Sequence, residues 1–411
     1  MRLARRTLLA AMMASVAAPA VLRMARADAP QVTLKLHHFF SSVSSGHTKF
    51  LAPWARKVEA DSAGRIRIDI FPSMQLGGAP AQLFDQARDG IADIVWAMPA
   101  STPGRFAKIE AFELPFVPSH RALVNSKAIE DYAATNLQDE FRDVHPICFS
   151  CRDHGVVHAN RTVQSVGDLK GLKLHVPNRL AGETVRVLGG QGVTAPIPQV
   201  PMAITAHVID GCLDPWDVVP GLKLHDLLKT HTDFAESSLS TTAFVLAMNK
   251  GVYDRLPREL RTVIDNNSGQ TAAGMAGAMW DLEAAAVADM VRQRGDAVTM
   301  LTAEQIAPWR KATEPVLVAW QRQMRERKVD GGRLTAGARA LVAKYANEPE
   351  PQPPQPPQPS QPPEPKVATQ PQQPPQAKAE MPKVDAAAAA PAAKPAPAAK
   401  PAPPKELDIP L

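Results

Sequence analysis

The chain has 411 residues, is 45% hydrophobic and carries a formal net charge of +5. It can therefore bury substantial cores, most naturally as two lobes rather than one. Part of the positive excess sits at the two ends, and no basic face is interleaved with aromatics, which excludes nucleic-acid binding.

Residues 1–27 read as a signal peptide, with a basic start, an apolar run from Thr7 to Leu22, and Ala25-Arg26-Ala27 as the cleavage site. Arg5-Arg6 before Thr7-Leu8-Leu9 fits a twin-arginine signal loosely, and an ordinary basic n-region equally. No second run of about 18 apolar residues follows, so the mature protein is expected to be exported and soluble.

From Val32 onward, strand and helix signals alternate. "VTLKLHHF" and "RIRIDIF" alternate as strands, and "HTKFLAPWARKVEADSAG" between them places Phe50, Trp54 and Val58 at helical spacing. "AQLFDQARDG" reads as a short helix and "IADIVWAM" as a buried strand. This order predicts an α/β fold with a mainly parallel sheet. "PICFSC" reads as a strand rather than a redox motif opening a helix. Cys148 and Cys151 then point to opposite faces, beyond disulfide reach.

The rhythm resumes in "GLKLHVP", where Leu172, Leu174 and Val176 face one way and His175 the other. A helix near 180–188 and a strand entering "IDGCLDPW" follow, so two α/β units in series would leave a cleft between them. The third section is helical. Pro257 opens one helix, "TAAGMAGAMWDLEAAAVADMVRQRG" is a long alanine-rich one, and Thr302 with Gln305 forms a capping box for another.

Composition changes at Glu348, and residues 348–411 are expected to form a disordered tail rich in Pro, Ala and Lys. Of the 40 prolines, 21 fall from 349 on, without an aromatic to build a core. In polyproline II it would be a semi-rigid spacer, and its partner is open.

His37, His38, His154, His158 and His175 invite a metal search, yet no H-E-x-x-H, paired C-x-x-C or closely spaced carboxylate supports one. There is no G-x-S-x-G and no P-loop. The expectation is a binding protein without cofactor rather than an enzyme. The competing reading is an exported metal-dependent enzyme built on the histidine cluster.

"GRIRIDIFPSMQLG", "ARDGIADIVWAMP", "ELPFV", "VGDLKGLKLHVP", "VIDGCLDPW" and "AMNKGVYDRLPRELRTVID" resemble, in order, the hallmarks of solute-binding proteins of tripartite ATP-independent periplasmic (TRAP) transporters. The resemblance implies a periplasmic receptor of two α/β lobes braced by a long helix. Lobe I would comprise 31–152 with 243–282, and lobe II 153–242 with 283–346. It also implies capture of a small organic acid and delivery to a sodium-coupled membrane permease.

In that family the residue at 175 is usually an arginine, whose planar fork pairs with the ligand carboxylate. Here it is His175, and the region upstream that often carries another arginine offers Arg152 and His154. Four substitutes stay open. His175 binds as imidazolium; Arg152 or Arg179 supplies the guanidinium; a cation held partly by Asp214 bridges to the ligand; or the ligand is not a simple carboxylate. His175 as a purely structural residue stands beside them. The matched motifs imply further cleft residues: Phe39, Trp96 and Met98 on the first lobe, Asp214 and Trp216 on the second, and Thr241 and Thr242 as hydroxyl donors. The aromatics suit a ligand with an apolar or aromatic body.

Overall fold

Residues 29–348 are described by a computed structural model. The expected signal peptide and the tail from 349 lie outside them. Glu348 is described, its Oε2 2.6 Å from Lys127 Nζ. The chain divides between Glu350 and Pro351, and the described residues all belong to the first unit.

Two sheets carry the fold. The first contains β1 (Val32–His38), β2 (Ile66–Phe71), β3 (Ile94–Ala97), β4 (Val144–Cys151) and β10 (Ala243–Asn249), in the order β2-β1-β3-β10-β4. The second contains β5 (Val156–Ala159), β6 (Lys173–His175), β7 (Gln191–Val193), β8 (Gly211–Asp214), β9 (Thr230–Asp233) and β11 (Ala297–Met300), in the order β11-β9-β5-β8-β6-β7. Both sheets are mixed rather than mainly parallel. β10 runs antiparallel to β3 and β4, and β5 antiparallel to β8 and β9. The cause is chain path: β5 follows β4 into the second sheet, and β10 returns from it, so each enters its sheet from the opposite end.

The two crossovers lie side by side. Arg152 N–H donates to Thr242 O at 3.0 Å, Gly155 N–H to Ser240 O at 2.6 Å, and Thr241 Oγ1 to Arg152 O at 2.7 Å. The passage between sheets is thus a narrow ribbon of 152–155 against 240–242.

Two helices bridge the lobes. In the helix Gln270–Gln293, Ala273, Ala276 and Trp280 pack into the first-sheet core, whereas Val287, Ala288 and Val291 pack into the second. Asp281 on this helix accepts from Ala122 N–H (2.6 Å) and Leu123 N–H (3.0 Å), satisfying the free amides of the helix Ala122–Asn136. The helix Ala303–Glu326, capped by Thr302 and Gln305, seats Ile306 and Trp309 in the second lobe and Val316, Trp320 and Met324 in the first. The last helix, Gly331–Ala346, packs Leu334, Ala338 and Val342 into the first-lobe core, so the C-terminal part of 283–346 lies against lobe I. All six tryptophans are buried. Cys148 and Cys151 point into different cores of the first lobe and form no disulfide.

One buried acid makes stability depend on pH. Glu113 is 3% exposed and accepts from Ala243 N–H at 3.0 Å. Burial, with Glu110 nearby, pushes its pKa up to about 8 against the pull of that N–H and of Arg179. Between the unfolded value near 4.5 and about 8, the folded protein holds a proton the unfolded chain has released. This contribution is full below the unfolded value and lost as pH rises through about 8. Urea unfolding should show it as a loss of up to about 1.4 kcal/mol per pH unit within that window. Glu113→Gln should remove that component. An identical slope in the variant would show that Glu113 does not titrate there.

Candidate functional site

The C-terminal ends of β1 and β3 point to one edge of the first sheet, where loops rather than strands continue the chain. Phe39 and Phe40 follow β1 there, and Met98 follows β3. Phe40 stacks on Phe39 at 4.3 Å and meets the Trp96 ring at 5.0 Å; Trp96 lies 5.0 Å from Phe244 and 6.1 Å from Trp280. The short helix Gly46–Leu51 closes tightly on this box at its first residue, since a Cβ at Gly46 would lie 2.6 Å from the Trp96 ring.

Arg152, the first residue past β4, reaches this aromatic wall. Its guanidinium carbon is 5.1 Å from the Trp280 centroid and 5.8 Å from that of Phe40, within cation–π range. Nη2 donates to Asp217 on the turn after β8, while the buried Nε has no partner. Asp217 Oδ1 and Asp214 Oδ1 also lack partners. Unpartnered buried polar atoms are rare; others occur elsewhere in both lobes, and these three belong to residues beside the passage between the lobes.

His175 is 1% exposed, so the strand face opposite its leucines is covered too. Its Nδ1 lies 2.6 Å from Asp214 Oδ2 and its Nε2 3.1 Å from Ala195 O. Both partners are oxygen acceptors, so both ring nitrogens carry hydrogen and the ring is an imidazolium. Burial opposes the charge, but Asp214 outweighs it and the pKa is raised. His154 repeats the pattern, with Asp233 Oδ1 at 2.9 Å and His120 O at 3.0 Å, and its pKa is pushed up to about 9 by Asp233 against burial. Trp216 Nε1 donates to Asp233 Oδ2 at 3.1 Å. His158 differs: its Nε2 donates to Asp214 O at 3.1 Å, and its Nδ1 meets His231 Nδ1 at 2.7 Å. Burial and His231 push its pKa down to about 3, so it is neutral.

The residues singled out from the sequence thus fall into groups. Phe39, Trp96 and Met98 belong to the aromatic wall, with Trp96 fully buried behind Phe40. Arg152, His154, Asp214 and Trp216 share one buried polar network with His175. Thr241 Oγ1 donates to Arg152 O, and the main-chain O of Thr242 accepts from Arg152 N–H, so both residues hold the main chain of Arg152. Arg179 stands in a separate interlobe ion pair, 2.8 Å from Glu110, beside a cavity of about 460 Å³ that Met324 and Arg327 also line. Phe40, Trp280 and Asp217 were not anticipated. Phe40 directly follows Phe39, Asp217 directly follows Trp216, and Trp280 is the lone aromatic ring of an alanine-rich helix, so only their neighbours in the chain could have pointed to the first two. Among the described residues, no three His, Cys, Asp or Glu side chains are arranged to hold a metal ion.

The profile of bacterial extracellular solute-binding proteins, family 7, matches residues 37–323. A TRAP solute-binding protein from Rhodoferax ferrireducens, solved with copurified benzoate, is 39% identical, covering 76% of this chain and 98% of that one, with a TM-score of 0.73. A marine-metagenome TRAP solute-binding protein specific for aromatic acid ligands, solved with 3-hydroxybenzoate, is 37% identical over 77% of this chain and 99% of that one, with a TM-score of 0.74. The uncharacterized protein y4mM of Sinorhizobium fredii is 25% identical over 55% of this chain, which spans only 42% of that relative's length.

Proposed function

The chain belongs to the bacterial extracellular solute-binding proteins, family 7, and from that premise we propose that this TRAP-type receptor captures a small aromatic carboxylic acid and hands it to a membrane permease. Proteins of this kind bind small organic acids and are receptors rather than enzymes. The observation that carries the finer reading is Arg152, whose guanidinium lies against Phe40 and Trp280 with Nε unpartnered at the meeting of the two lobes. A guanidinium beside aromatic faces offers a carboxylate anchor next to a stacking surface, the two halves of a benzoate-like molecule. That two relatives above 35% identity hold benzoate and 3-hydroxybenzoate supports the same ligand class.

Arg152 takes the place of the arginine expected at 175, and His175 serves it indirectly by neutralising Asp214. The aromatic wall carries the ring of the acid, and Trp216 closes the second side through Asp233. The lobes close about the ribbon of 152–155 and 240–242, and the bound acid selects the closed arrangement through contacts to both. Export by a signal peptide cleaved near Ala27 belongs to the same reading.

Thermal unfolding of the mature protein with benzoate, 3-hydroxybenzoate, succinate and glucuronate tests the assignment. At about 100 times its Kd an aromatic acid should stabilise by roughly 2.7 kcal/mol, a rise of several degrees, with succinate and glucuronate silent. A shift with succinate or glucuronate alone would move the ligand class. Silence with all four would remove the reading.

A further inference from the structure

Four carboxyl groups and three cations meet beside the crossovers, and they pair off with one left over. Arg152 takes Asp217, His175 takes Asp214 and His154 takes Asp233. Asp153 has no cation of its own. It is 1% exposed, its Oδ2 accepts only the Trp216 N–H at 3.1 Å, and its Oδ1 has no partner.

The charged groups around it are fixed by the fold. Arg152 and His154 flank Asp153 in the chain, and Asp217 faces it from the turn after β8 as a like charge. Asp217 in turn faces Asp214 and, from the helix Gln270–Gln293, Glu283, which is engaged by Lys49 and Ser45. His158, on β5, is neutral, and His231 on β9 has its pKa lowered by burial. Burial first and then Asp217 hold the Asp153 carboxyl well above the ordinary carboxylate range, against Arg152 and His154.

An organic anion seated on Arg152 adds a second uncompensated negative charge to this dry volume. Neighbouring carboxylates do not both stay ionised under such conditions; one keeps a proton. We propose that Asp153 is the proton-bearing carboxyl of the binding site, remaining a carboxylic acid while the anion is bound, so that the receptor holds the organic anion together with one proton. The inference rests on the reading of Arg152 as carboxylate anchor. With Oδ2 accepting from Trp216, the proton sits on Oδ1, the oxygen free to donate. The balance is simple. Above the pH at which Asp153 ionises in the free receptor, binding draws one proton from solvent; below it, the proton is already in place and affinity does not change.

Difference infrared spectroscopy of the benzoate-saturated protein near neutral pH, wild type minus Asp153→Asn, decides the point. Asparagine keeps the shape of the side chain and an oxygen for the Trp216 N–H, so the variant is expected to fold. The expected result is a protonated-carboxyl C=O band in wild type that is missing from the variant. Calorimetric Kd values carried to alkaline pH should climb by up to tenfold per pH unit in wild type once Asp153 ionises in the free receptor, and this limb should be missing from Asp153→Asn. A wild-type complex without the band, or an alkaline limb equally steep in the variant, overturns the proposal. Failure of wild type to bind benzoate or any other acid overturns the functional reading and this inference with it, an outcome distinct from binding without the band.

Discussion

Arg152→Met is expected to abolish measurable benzoate binding and to lower the unfolding midpoint by roughly 10 °C. Both effects have one origin. The guanidinium is the cation that compensates Asp217 and, with His154, flanks Asp153 in the chain, in a region nearly closed to water. Removing one member of a buried ion pair strands the other, at a cost of about 3–5 kcal/mol. At a few degrees per kcal/mol, that converts to the stated shift. Because so large a loss confounds binding with folding, Arg152→Lys is the sharper variant. Lysine keeps the charge beside Asp217 but not the planar fork or its stacking on Phe40 and Trp280. It should unfold close to wild type and bind benzoate roughly tenfold to a hundredfold more weakly. Wild-type affinity in Arg152→Lys would show that the anchor lies elsewhere.

Gly211→Ala is expected to cost about 3 kcal/mol or more and to weaken binding as well. A Cβ at this position would lie 2.1 Å from His158 O and 3.0 Å from Ala159 Cα. β8 cannot step aside, because it is hydrogen-bonded to β5 on one edge and β6 on the other. Overpacking of this kind forces the backbone apart, and the strand that moves ends in Asp214, the partner of His175. Gly337 is the contrasting case. It lies within the helix Gly331–Ala346, and a Cβ there meets nothing within 4 Å. Gly337→Ala should gain about 0.5–1 kcal/mol by restricting the unfolded chain. Urea unfolding measures both, and a Gly211→Ala protein as stable as wild type would contradict the β5–β8 spacing.

Much of the fold was legible because its signals are local. Alternation in "RIRIDIF" and "GLKLHVP", the Thr302 and Gln305 capping box and the alanine-rich helix each needed only near neighbours, and each element is present. Strand direction was not local. Nothing inside "AFVLAMN" says that it enters the sheet from the far lobe, so its antiparallel pairing with β3 was hidden. The candidate site divides the same way. Arg152, Asp214 and Trp216 came into view through motifs, whereas Trp280 is 128 positions from Arg152 and meets it only through the bridging helix. Burial misled at His175. Its alternation with leucines suggested an open face, but Ala195 and Asp214 cover that face, and no periodicity records what a later segment lays over a strand.

The ribbon between the lobes has a mechanical consequence. Arg152 is at once a joint and a fingertip: its main chain is pinned to Thr242, and its side chain touches the aromatic wall. A swing of one lobe would turn backbone torsions in this short passage as well as at the two bridging helices, and turning those of Arg152 would re-aim the guanidinium. On the proposed reading, the residue that would hold the acid and the backbone that would turn on closure are therefore the same one. A substitution that stiffens 152–155 will register in a titration as altered affinity even when every contact to the acid is intact.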